Sequence, residues 1–199
     1  MTIFSWARGG LFAACATLIT TGTALASGGY DNGTPAGRGN LDLEFTLNPG
    51  DAFEDGQTYV VWGYGLTEKL DFHGYVSHEA NGTDQFYLGL MYNFYSNEWL
   101  DLSTAIGFRQ RSGVTDIFLP QLLYTIKLPN DYDIIGSAVN VYNTTDNENR
   151  GVALDVGLRI PLPTVLTPKI AKDAKLTVGA FRRAAGGRWL PTYSVDLRF

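Results

Sequence analysis

The stretch "GVALDVGLRI" alternates without a break: Val152, Leu154, Val156, Leu158 and Ile160 oppose Ala153, Asp155, Gly157 and Arg159. Successive side chains of a strand point to opposite faces, so a strict period of two marks a strand with one oily and one polar face. A helical stripe would repeat every three to four residues and cannot produce this pattern. The same alternation runs along the chain from Leu41 to Phe199. Such a chain is all-β, and its architecture depends on what covers the oily faces.

The other segments define those faces. Leu41, Leu43, Phe45 and Leu47 oppose Asp42, Glu44 and Thr46; Val60, Trp62, Tyr64 and Leu66 oppose Gly63 and Gly65. Leu70, Phe72, Gly74 and Val76 oppose Asp71, His73 and Tyr75, and Phe86, Leu88, Leu90, Tyr92 and Phe94 oppose Gly89 and Asn93. Leu100, Leu102, Thr104, Ile106 and Phe108 oppose Asp101, Ser103, Ala105, Gly107 and Arg109. In "DIFLPQLLYTIKL" the apolar set is Phe118, Leu122, Tyr124 and Ile126, against Gln121, Thr125 and Lys127. "YDIIGSAVNVYN" reads with Val139 and Val141 outward and Asn140 and Tyr142 inward, and "KLTVGAFR" and "LPTYSVDLRF" complete the set. The count is ten strands, or eight if the first segment or Tyr132–Asn143 fails to join.

A soluble sandwich also alternates, but its exposed face is richly charged. Here the polar face is mostly small, with Gly, Ala and Ser and charges of both signs, which suits a crowded barrel interior. Tyr, Trp and Phe gather near strand ends (Trp62, Tyr64, Phe94, Trp99, Tyr132, Trp189, Phe199), where one end of a ring is oily and the other wet. Closure of the sheet satisfies every backbone group in hydrocarbon, which an open sheet cannot. The expected fold is a transmembrane, antiparallel, up-and-down β-barrel over residues 41–199.

The N-terminal residues fit an exported barrel. "MTIFSWAR" carries one positive charge, "LFAACATLITTGTA" is apolar, and Ala24-Leu25-Ala26 fits a signal-peptidase site, so residues 1–26 read as a signal peptide. Residues 27–40 read as a flexible Gly-rich leader. Beyond residue 26 there is no cysteine, hence no disulfide, and the 14 basic against 20 acidic side chains there argue against nucleic-acid binding.

Connections alternate in character. "TEK", "SNEW" and "PND" are short; "PGDAFEDG", "HEANGTD", "RQRSG", "NTTDNENR" and "RAAGGR" are polar and longer. Short periplasmic turns and longer outer loops are the habit of outer-membrane barrels. "PLPTVLTPKIAKDAK" falls on the short-turn side and reads as a short amphipathic helix over Val165–Lys172.

With these features the chain resembles bacterial outer-membrane β-barrel proteins, which combine a Sec signal peptide with a last strand ending in Phe. Tyr193, Val195, Leu197 and Phe199 match that terminal-strand pattern. The resemblance implies the Gram-negative outer membrane as location. It also implies recognition by the assembly machinery, with lipid and lipopolysaccharide as partners.

Chemistry is sparse. The histidines are His73 and His78, five apart on one strand, so a regular strand puts them on opposite faces. The residue two after His78 is Ala80, where a deacylase-like pattern needs Ser. "TDNENR" lacks the Gly and distant Glu of a calcium loop, and no helix follows Gly37-Arg38-Gly39 or Gly63-Tyr64-Gly65. No enzyme, metal or cofactor is expected. The informative set is inward: Glu44, Asp71, His73, Asp101, Arg109, Lys127, Asp155, Arg159, Asp196 and Arg198. These either pair across a closed interior or line a narrow pore and set its selectivity. The many small inward residues leave room for water and favour a small porin-like channel for hydrophilic solutes or ions. A non-conducting structural or surface-interaction barrel is the alternative, and a lipid-modifying enzyme the weaker one. Arg109, Arg111, Arg182, Arg183 and Arg188 near the outer rim could hold lipopolysaccharide phosphates.

Overall fold

The computed structural model describes residues 32–49, 56–144 and 148–199. The signal peptide, the start of the leader, most of the first long loop and the tip of the "NTTDNENR" loop lie outside the described residues. Ten antiparallel strands close on themselves: β1 Leu41–Asn48, β2 Gln57–Gly65, β3 Leu70–Glu79, β4 Asp84–Ser96, β5 Leu100–Arg111, β6 Val114–Lys127, β7 Asp133–Asn143, β8 Glu148–Pro161, β9 Asp173–Arg182 and β10 Leu190–Arg198. Each strand pairs with its sequence neighbours, and β1 pairs with β10 from Asp42↔Arg198 to Leu47↔Tyr193. Both segments on which an eight-stranded count depended are therefore in the barrel.

The outer surface carries the apolar set. Phe45, Val60, Phe72, Val76, Phe86, Leu90, Ile106, Leu122, Val156 and Val178 are exposed on it. Tyr64, Tyr95, Trp99 and Tyr132 stand exposed at the short-connection end, here the turn side, and Trp189 at the other, the loop side.

Turn chemistry fixes the ends. Thr67 Oγ1 accepts from the Leu70 N–H at 2.9 Å, and Asn97 Oδ1 accepts from the Leu100 N–H at 2.7 Å, closing two turn-side hairpins with side chains that mimic backbone. On the loop side "RQRSG" is no long loop. Arg111 pairs with Val114, leaving Ser112 and Gly113 as a two-residue hairpin turn with φ of 44° and 80°. Two consecutive positive φ values suit the right-handed twist of the flanking strands.

Three expectations are corrected. In β6 a bulge falls between Phe118 and Gln121, so Leu119 and Pro120 both sit outside and the parity changes there. Phe118 is consequently buried inside rather than facing out. In β7 the phase is opposite to the expected one: Val139 and Val141 are buried and Tyr142 is exposed. Residues 165–172 form no helix but successive turns, closed by Leu166 N–H to Pro163 O at 2.8 Å and Ala171 N–H to Pro168 O at 3.0 Å. Pro168 lacks an N–H and disfavours a helical residue before it, which breaks the run.

The leader departs from expectation too. Residues 32–40 enter the turn-side end of the barrel and are held there. Gly33 N–H donates to Thr125 Oγ1 at 3.0 Å, Gly33 O accepts from Ser103 Oγ at 2.6 Å, and Ala36 N–H donates to Asp71 Oδ2 at 2.8 Å. This part of the leader is a strap inside the barrel, because polar groups on β3, β5 and β6 satisfy its backbone.

Candidate functional site

The interior has two zones. On the turn side it is ionic. Arg198 and Asp42 form a two-pronged pair across β10 and β1 at 2.6 and 2.8 Å. Asp133 on β7 takes both Arg159, at 3.0 Å, and Lys175, at 2.7 Å. Lys127 reaches Asp101 at 2.8 Å, and Asp101 also accepts from Ser96 Oγ at 2.6 Å. Asp196, opposite Glu44 in register, accepts from Thr177 at 2.8 Å and Ser194 at 3.1 Å; Glu44 accepts from Thr46. Asp155 accepts from Ser137.

Part of this network lines a cavity of about 380 Å³. Its lining includes the carboxylates of Asp42, Glu44, Asp133 and Asp196 against the cations Lys127, Arg159, Lys175 and Arg198, and the exposed carboxylates of Glu98, Asp131 and Asp173 at its mouth, so the mouth is net acidic. Asn32 and Thr34 of the strap supply one wall. The strap thus divides the turn-side interior: one flank lies on β3–β6 and the other faces the chamber.

The second zone is a packed layer. One buried cluster joins Tyr59, Tyr75, Tyr87, Phe118, Val139, Val141, Ala153, Phe181 and Leu190, drawing on every strand but β1 and β5, to which Ala105 adds β5. Tyr75 stacks on Tyr87 at 5.3 Å and Tyr87 on Phe118 at 5.2 Å, with Tyr59 edge-on to Tyr75 at 5.3 Å. Arg109 lies 5.1 Å over the Phe118 ring and binds Asp116 at 2.6 and 3.1 Å. Gln121 Nε2 donates to the Tyr87 hydroxyl at 2.8 Å, and His73 Nε2 lies 3.3 Å from it.

The small inward residues are not empty space, as the sequence suggested. A Cβ on Gly107 would lie 2.2 Å from the Tyr87 hydroxyl oxygen, and one on Gly89 2.4 Å from it. The glycines form the socket for that ring.

All ten inward residues named from the sequence lie in the barrel interior. Glu44, Asp71, His73, Asp101, Arg109 and Arg159 are buried, and Lys127, Asp155, Asp196 and Arg198 are partly so. The structure brings Lys127 together with Asp101, but it places Arg109 in the packed layer, away from the chamber. Sequence reasoning missed Asp116, Asp133 and Lys175 as partners, and the Tyr59–Tyr75–Tyr87–Phe118 array. Asp116 and Asp133 were hidden by the phase errors in β6 and β7. His78 pairs with Asp84 at 2.7 Å in an exposed position, apart from His73. Among the described residues no group of three or more His, Cys, Asp or Glu could hold a metal ion.

In the terminal-strand set, Tyr193 is exposed on the outer face and Val195 half-buried. Leu197 is buried beside its register partner Ala174, where the connection from β8 closes on this edge through Leu162 N–H to Ala174 O and Lys172 N–H to Arg198 O. Phe199 follows β10 and exchanges backbone hydrogen bonds with Leu41.

No family model matches the chain, and no curated protein does. Solved structures similar to it include the KdgM porin, at 8% identity and TM-score 0.47, covering 80% of this chain and 98% of that one. A de novo designed transmembrane β-barrel is similar at 10% identity and TM-score 0.41, covering 81% and 95%. The N-terminal β-barrel domain of Pseudomonas aeruginosa OprF is similar at 12% identity and TM-score 0.35, covering 82% and 99%.

Proposed function

We propose that this chain is an outer-membrane barrel of the transport type, passing ions or small hydrophilic solutes and favouring cations, with no enzymatic role. The observation that carries the reading is a charged chamber of about 380 Å³ with a net-acidic mouth, inside a closed barrel whose outer surface is apolar. An apolar exterior belongs against hydrocarbon, and a charged interior belongs to water and solute. The turn side then faces the periplasm, after export by the signal peptide at residues 1–26. The pattern Tyr193, Val195, Leu197, Phe199 supports handling by the outer-membrane assembly machinery. The arginines near the loop-side rim suit contact with lipopolysaccharide phosphates.

Planar-bilayer recording of the purified, folded protein tests the reading. Conductance steps with a cation-favouring reversal potential are expected, and Arg159→Glu should move that potential further toward cations, because a wall charge acts at short range in a narrow passage. A second reading, a non-conducting scaffold barrel, draws support from the buried layer around Tyr87 and Phe118. Silence in the bilayer from folded protein favours that reading and sinks the first.

A further inference from the structure

We propose that residues 32–40 are an internal plug that closes the β3–β6 side of the turn-side mouth and can leave it without unfolding the barrel. Three observations meet here. The strap is bound as a ligand would be, by groups on the wall that face the lumen. Gly33 is gripped on both sides of its peptide: its N–H by Thr125 and its carbonyl by Ser103 Oγ and by Asn93 Nδ2 at 3.2 Å. Thr34 Oγ1 donates to Asp101 at 2.8 Å and Ala36 N–H to Asp71 at 2.8 Å.

The fit leaves no slack at one point. A Cβ on Gly33 would stand 2.7 Å from Leu123 O and 2.9 Å from both Asp101 O and Tyr124 Cα, all backbone that cannot swing aside. Only glycine seats there.

The barrel does not need the strap for its own closure. The ladder from β1 to β10 is complete without it, and its strand-like contact with the wall is the single parallel bridge Arg38↔Gly65 at the β2 edge. Polar bonds to a polar wall exchange with water at little net cost, whereas the strands are held by continuous ladders. The plug is thus the weaker of the two structures and the one that yields first. Passage through the mouth it uncovers rests on the transport reading above; the plug itself does not.

Thiol labelling separates the two. Ser103→Cys places a reporter under the strap, and Ser137→Cys, a buried position on β7 outside the strap's hydrogen bonds, serves as control. The purified barrel in detergent is treated with a small water-soluble methanethiosulfonate. Adding Gly33→Val should accelerate labelling at position 103 by at least about tenfold, the low end of what overpacking a close-fitted site costs, and leave position 137 unchanged. Thr34→Val, which cannot clash as Gly33→Val does, should act in the same direction and keeps the test open if the first variant folds poorly. Equal labelling with and without the strap changes would overturn the plug. So would acceleration at both reporters, which means general loosening. Selective acceleration without bilayer conductance upholds the plug and rejects the transport reading.

Discussion

Arg109 and Asp116 bring two full charges into a layer built mainly of aromatic and aliphatic side chains, and neither side chain is appreciably exposed. Desolvation of both ions is offset by their short contact, in which two guanidinium nitrogens donate to Asp116 Oδ2, and by the Phe118 ring beneath the guanidinium. Removing one partner leaves the other charge buried without its counter-ion. Arg109→Met should therefore destabilise the barrel by about 3–5 kcal/mol in urea titrations, and Arg109→Met with Asp116→Leu should recover most of the loss. Additive losses in the double variant would show that the pair is not the unit. The residue scale is also where sequence reading was most uneven. Arg109 is legible as inward from Phe108 and Gly107 beside it. Asp116 is not, because a bulge later in the same strand turns it to the opposite face from the one that unbroken alternation assigns.

At the scale of elements, the strands themselves were legible almost to the residue, since a two-residue period fixes both type and extent. What failed was phase across an interruption. "FLPQL" contains one apolar residue too many for a continuous strand, and the placement of Leu119 and Pro120 outside shifts everything before them. In β7 both faces carry apolar residues, Ile134 and Ile135 adjacent, so hydrophobicity alone cannot choose between them. The answer comes from pairing: Asp133 meets Arg159 in register, and only the inward phase lets it reach Lys175 as well. The β5–β6 hairpin gives this scale its prediction. Gly113 has φ of 80°, a region a β-branched residue enters at a cost of about 1–3 kcal/mol. Gly113→Val should lower stability by that amount and slow recovery of the folded, heat-modifiable band. Gly113→Asn, whose side chain tolerates the left-handed region, should come close to the original. A Val variant as stable as the original would mean that the turn is not a two-residue hairpin in solution.

For the whole molecule, the barriers along the lumen follow from where bulk is placed. The turn-side chamber is lined by charged side chains, whereas the layer beyond it is built around three rings in line, Tyr75, Tyr87 and Phe118. Small residues in the sequence suggested an open interior, yet Gly89 and Gly107 exist to admit the Tyr87 ring, which occupies the room they leave. Composition could not reveal this, because a glycine opposite water and a glycine opposite a ring look identical in a sequence. If the transport reading holds, this layer and the strap are the two resistances in series. Tyr87→Ala with Phe118→Ala removes two stacked rings at the centre of the layer, and an interior lined on that side by Gln121 and His73 would take up water in their place. Single-channel conductance should rise modestly in that variant and severalfold when Gly33→Val is added, since opening one of two serial barriers leaves the other limiting. Unchanged conductance in the folded triple variant would place the limiting constriction elsewhere, and a combined gain no larger than the sum of the two separate gains would show that the strap and the rings do not act in series.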